Sequence, residues 1–165
     1  MDTAAVAALL RAAADEAVLP RWRALRPEQV ATKSRPDDLV TVADTEAEAI
    51  ITAGLRELSP GTPVIGEEAV AADPSLLDGL TTLPAYWLVD PVDGTGNFVD
   101  GSPDFGVMAA YVESGEVAAA WIWLPVHDHL AVAVRGAGAT LDGEVVASPD
   151  GPPPVFADLR GRYSD

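Results

Sequence analysis

The chain has 165 residues, with 10 Lys+Arg against 26 Asp+Glu and a formal net charge of −16. That length suits one domain, and the charge excludes partners held by phosphate neutralisation, so neither nucleic acid nor an anionic membrane surface is expected. Hydrophobic residues make up 48% and supply a core, while zero Cys removes thiol nucleophiles, thiolate metal sites and disulfides.

Apolar positions recur at helical spacing from Thr3 to Leu25, which predicts a first helix kinked or ended at Pro20. Its charges interrupt any signal-peptide pattern, and the longest apolar run, Val117–Val126, is too short to span a bilayer, so a cytoplasmic protein is the expectation. Lys33 to Asp38 reads as a turn and Leu39 to Val42 as a short extended piece. A second helix should start near Asp44 or Thr45, where Thr45 and Glu48 have capping-box spacing, and run to about Leu58 before Ser59-Pro60-Gly61.

Strand-type segments follow. Pro63-Val64-Ile65 ends in Gly66-Glu67-Glu68, and Tyr86-Trp87-Leu88-Val89 ends in Asp90-Pro91-Val92-Asp93-Gly94. Phe105–Val112 and Glu116–Leu124 are joined at hairpin length; then come Leu130–Val134, a Gly-rich connection and a small hairpin around Asp142-Gly143. Helices followed by antiparallel strands indicate an α+β class, a layered helix/antiparallel-sheet sandwich. Residues 1–147 form the expected domain; 148–165 read as a linker and the start of a truncated C-terminal domain.

Acids and bases are unevenly placed, for between Asp37 and Leu159 the only basic residues are Arg56 and Arg135. Most such acids belong to a solvated surface, but Asp90 and Asp93 flank a turn at a strand end, where they and the Val92 carbonyl can converge as oxygen ligands for a hard cation. A helix starting at Gly94 and Thr95 would aim free N–H groups at the same place and suit an anion. Glu67-Glu68 also follows a short apolar strand. Two acidic loops on one sheet rim repel each other unless a cation lies between them. Asp44, taken alone, reads as a helix cap.

The string Trp87-Leu88-Val89-Asp90-Pro91-Val92-Asp93-Gly94-Thr95-Gly96-Asn97-Phe98 resembles the signature of the inositol monophosphatase family of metal-dependent, lithium-sensitive sugar phosphatases. Lys33-Ser34 to Asp44, Ile65-Gly66-Glu67-Glu68 and Arg135-Gly136-Ala137-Gly138-Ala139 to Asp142-Gly143 stand in the matching order around it. The resemblance implies a magnesium-dependent phosphomonoesterase acting on a small phosphorylated polyol or sugar. Glu67, Asp90 and the Val92 carbonyl would hold one Mg2+, and Asp90 and Asp93 a second. Thr95, with Glu67, would orient water, and the Gly94 and Thr95 N–H groups would receive phosphate. Asp44 would sit beside a weaker third cation, with Lys33 and Glu68 nearby. Li+ would inhibit, and a homodimer is compatible with this reading.

The Trp-Asp segment that carries a further metal-binding Asp in this family does not occur in these residues, so the resemblance implies its N-terminal portion, lacking the C-terminal α/β half. A non-catalytic metal-binding fragment therefore stands as an alternative, as do relatives acting on histidinol phosphate, fructose bisphosphate or a nucleotide bisphosphate. Apolar strand faces left without that half would favour self-association. His127-Asp128-His129 reads as an exposed turn, Trp121 and Trp123 as core or interface, and Gly136-Ala137-Gly138 lacks the third glycine of a dinucleotide loop.

Overall fold

Asp2 opens the first helix, its side chain accepting the Ala4 and Ala5 N–H groups at 3.0 Å. The computed structural model describes residues 1–33 and 39–146. Helix α1 spans Thr3–Ala13 and continues as a wider turn over Ala14–Val18, with the Leu19 N–H reaching the Ala14 carbonyl at 2.8 Å. The helical path thus ends just ahead of Pro20, which has no N–H to continue it.

A two-stranded antiparallel ribbon of β1 (Val30–Thr32) and β2 (Leu39–Thr41) leads directly into α2 (Val42–Leu58). The cap of α2 differs from the expected Thr45 and Glu48 pair. Thr41, in extended backbone at φ −122° and ψ 169°, accepts the Ala43 N–H at 3.1 Å, and Asp44 returns to the Thr41 N–H at 2.9 Å. Because β2 ends at Thr41, the chain turns into the helix at once and Thr45 already lies in its first turn.

The main sheet takes β3 (Val64–Gly66), β4 (Ala85–Asp93), β5 (Gly106–Glu113), β6 (Glu116–Leu124), β7 (His129–Val134), β8 (Gly138–Leu141) and β9 (Glu144–Val146) side by side in chain order. The pairs from β4 to β9 are antiparallel as expected, but β3 lies parallel to β4, with Gly66 opposite Val89. Helix α3 (Glu67–Ala72) and two short helical turns provide the crossover that parallel pairing needs.

One sheet face is closed by α1 and α2. Trp87, Val107 and Trp121 interleave there with Leu10, Ile51 and Leu55, all at most 1% exposed, and the Trp121 indole donates to the Thr3 carbonyl at 3.1 Å. Trp121 and Trp123 are therefore core residues. On the opposite face, Leu88, Met108, Ala110, Ala120 and Ile122 line an apolar depression with Val70 and Leu77, and Leu88 and Ile122 stay 37% and 40% exposed. The architecture is the expected layered α+β arrangement with one face of the sheet uncovered among the described residues. No described helix is long and apolar enough to cross a membrane. The reading of 148–165, and of the turn beyond Lys33 to Asp38, lies outside the described residues.

We propose that this face drives self-association: sedimentation should show mass rising with concentration, and Ile122→Lys should shift the chain toward monomer while leaving its circular dichroism unchanged. Monomer at every concentration for the unaltered chain would contradict this.

Candidate functional site

Parallel pairing sets the site. Because β3 and β4 run the same way and Gly66 faces Val89, the next residues, Glu67 and Asp90, emerge at the same sheet edge. The motif is a bulged extension of β4 rather than a turn beyond it: pairing with β5 slips between Asp90 and Asp93, where Pro91 has no N–H for the ladder. Gly94 then turns the chain at φ 82°, and a side chain there would press on the Asp104 carbonyl, so glycine is required. The short helix α4 (Thr95–Val99) follows, as the motif predicts.

Asp90 carries the strain of this arrangement. Its Oδ1 is buried with no hydrogen-bond partner. Burial, then the charge and hydrogen bond of Glu67 and the charge of Asp93, push its pKa up to about 8. Asp93 itself is exposed. Thr95 Oγ1 lies 2.9 Å from the Val92 carbonyl and 3.2 Å from Asp44 Oδ1, so its proton can be given to either oxygen. No hydrogen bond joins Thr95 to Glu67 among the described residues.

Asp44 is more than a helix cap. Its carboxylate is 1% exposed and accepts the Thr41 N–H at 2.9 Å and hydroxyl at 2.6 Å while its other oxygen faces Thr95. Burial raises its pKa, and the hydrogen bonds from Thr41 and Thr95 pull against that rise.

On the other side of the cluster, Lys33 Nζ bridges Glu67 Oε1 at 2.7 Å and Glu68 Oε1 at 2.6 Å. Desolvation opposes the ammonium, but the hydrogen bonds and charges of the two glutamates outweigh it and raise its pKa. Burial raises the pKa of Glu68, with Lys33 pulling it down.

Glu48 is the residue that sequence reasoning missed. Its buried carboxylate leaves α2 to accept the Glu68 N–H at 2.7 Å and the Ala69 N–H at 2.9 Å, capping α3 from outside and holding the Glu67-Glu68 corner in place. Gly66 makes this fit possible, since a Cβ there would collide with that carboxylate. The signal was the i, i+4 spacing of Asp44 and Glu48, which turns both toward the same side of α2.

Several observations fit a hard divalent cation: the unpartnered Asp90 oxygen, the three crowded acids Glu67, Asp90 and Asp93, and an all-oxygen donor set completed by the Val92 carbonyl. As they stand, however, no three His, Asp or Glu side chains among the described residues converge as metal ligands. Glu67 is engaged by Lys33 and would have to reorient. His127 and His129 lie outside the site, paired with Asp104 and Asp142 at 3.1 and 2.8 Å; His127 is in the turn, and His129 opens β7.

The model of the family described as "Inositol monophosphatase family" matches residues 1–159. A fructose-1,6-bisphosphatase/inositol-1-monophosphatase of Thermotoga maritima is 34% identical over 119 residues, 72% of this chain and 43% of that protein. A solved Thermotoga maritima IMPase superposes with a TM-score of 0.76 at 30% identity, covering 91% of this chain and 55% of that one. An IMPase/NADP phosphatase complexed with Mg2+ and phosphate gives 0.64 at 27% identity, covering 76% and 45%. The chain thus spans about half the length of the relatives it matches.

Removing the cap on α3 tests how the corner is held. Glu48→Ala should destabilise the chain by about 2–3 kcal/mol in urea titration, since it abandons two N–H groups bonded to a charged acceptor. A loss below about 0.5 kcal/mol would mean that the carboxylate does not hold the corner.

Proposed function

Because the chain belongs to the inositol monophosphatase family, we propose that its acidic edge is the metal and phosphate site of a phosphomonoesterase acting on a small phosphorylated polyol or sugar. The observation that carries this reading is the unpartnered, buried Asp90 oxygen beside Glu67 and Asp93. Glu67, Asp90 and the Val92 carbonyl would hold one Mg2+, and Asp90 and Asp93 a second; Asp44 would stand near a third. Bound there, magnesium ions would lower the pKa of a coordinated water and neutralise the charge of the phosphate ester.

The chain's own groups do the rest. Thr95, hydrogen-bonded to Asp44 and the Val92 carbonyl, would orient a water and pass on its proton, and the Gly94 and Thr95 N–H groups would receive the phosphate oxygens. With a phosphomonoester near −2 and an edge of like charge, substrate binding requires cations, which accords with a net charge of −16. Li+, competing for the same oxygens, would inhibit. The names of the relatives extend over more than one sugar phosphate, and inositol 1-phosphate and fructose 1,6-bisphosphate are the first substrates to test.

The donor set as it stands, with Glu67 held by Lys33 and no three acidic side chains converging among the described residues, favours a second reading, a domain that binds metal without turnover. Calorimetry with Mg2+ and phosphate release from both esters separate the two. The phosphatase reading expects Mg2+ binding and turnover, with Asp93→Asn lowering kcat/KM by about 10²-fold or more. Binding without turnover would support the second reading, and absence of binding would reject both.

A further inference from the structure

Lys33 is the only lysine in the chain; the rest of its 10 Lys+Arg are arginine. It sits where β1 ends, with its side chain 11% exposed, and its single ammonium serves two carboxylates, those of Glu67 and Glu68. No other cationic side chain among the described residues pairs with Glu67, Glu68, Asp90 or Asp93.

The chemistry of the two bases differs in a way that matters here. A guanidinium grips a carboxylate through a planar fork, whereas an ammonium is a compact point charge on a flexible stem that moves between acceptors. Glu67 and Glu68 are adjacent in the first turn of α3, and Glu48 anchors that turn through the backbone, so the main chain that carries both carboxylates stays fixed while their side chains and the ammonium rearrange. An ammonium and a divalent ion on one carboxylate repel each other at short range. Glu68, 12% exposed, gives Lys33 a retained partner when Glu67 is taken.

We propose that Lys33 is a built-in stand-in for the cation: without metal its ammonium neutralises Glu67 and Glu68, and a divalent ion arriving at Glu67 and Asp90 displaces it onto Glu68 alone. The inference rests on the metal-site reading above and adds a regulatory element to it. Lys33 holds the acidic corner together in the empty state and sets a threshold that the divalent ion must overcome to bind.

A chain with one lysine offers a direct readout, because an amine-reactive reagent has only Lys33 and the Met1 α-amino group to modify. Mass spectrometry would measure the ratio of the two labelling rates in the full chain, with and without Mg2+, while calorimetry registers binding in the same samples. The stand-in role expects the Lys33 ratio to rise several-fold with Mg2+ and Lys33→Met to bind Mg2+ about tenfold more tightly, since a competing charge is gone. Binding heat with an unchanged or falling Lys33 ratio would overturn the stand-in role and leave the metal site intact. No binding heat in either the unaltered chain or Lys33→Met would overturn the metal site and this inference with it. The labelling arm needs no variant, so it decides the matter even if Lys33→Met fails to fold.

Discussion

Like charges forced together by strand pairing are the constraint on which the rest of the site depends. Once β3 lies parallel to β4 with Gly66 opposite Val89, Glu67 and Asp90 have no freedom to separate, and the bulge through Pro91 brings Asp93 to the same edge. The fold answers this repulsion in three visible ways. Burial and the charges of Glu67 and Asp93 push the Asp90 pKa up to about 8, Lys33 places an ammonium between Glu67 and Glu68, and Glu48 ties the corner down through backbone N–H groups. All three are means of tolerating an edge whose natural counterion is a hard cation.

The same logic explains why buried acids on α2 belong to the site. Asp44 and Glu48 are one helical turn apart, and each uses its burial for a specific contact: Asp44 closes the cap at Thr41 and holds Thr95, and Glu48 caps α3. Packing of α2 against the sheet through Ile51 and Leu55 fixes both acids relative to β3 and β4. The hydrophobic core on one face of the sheet therefore positions the chemistry at its edge, while on the opposite face Leu88 and Ile122 stay uncovered among the described residues.

Much of this was legible in the residues. Apolar strands stopping at Glu67-Glu68 and at Asp90-Pro91-Val92-Asp93-Gly94 marked the two acidic ends, and alternation along Trp121 and Trp123 marked a face for core or interface, which packing against α1 made core. The orientation of β3 was not legible, because a three-residue apolar strand reads alike in either direction and only the crossover through α3 decides it. The start of α2 was misplaced because Thr41/Asp44 and Thr45/Glu48 present the same capping spacing one turn apart, and the position of β2 selects the first. The contacts of Lys33 with Glu67 and of Glu48 with Glu68 join segments far apart in sequence, so local pattern can put Glu48 on the same side of α2 as Asp44 but cannot name its partner.

The central claim, that the crowded edge is built around a divalent ion, is tested most directly by a crystal structure of the chain soaked in Mn2+, located by its anomalous scattering. The account predicts a peak bonded to Glu67, Asp90 and the Val92 carbonyl, with Lys33 on Glu68 alone. Glu67 still paired with Lys33, and no peak beside Asp90 at saturating Mn2+, would contradict it.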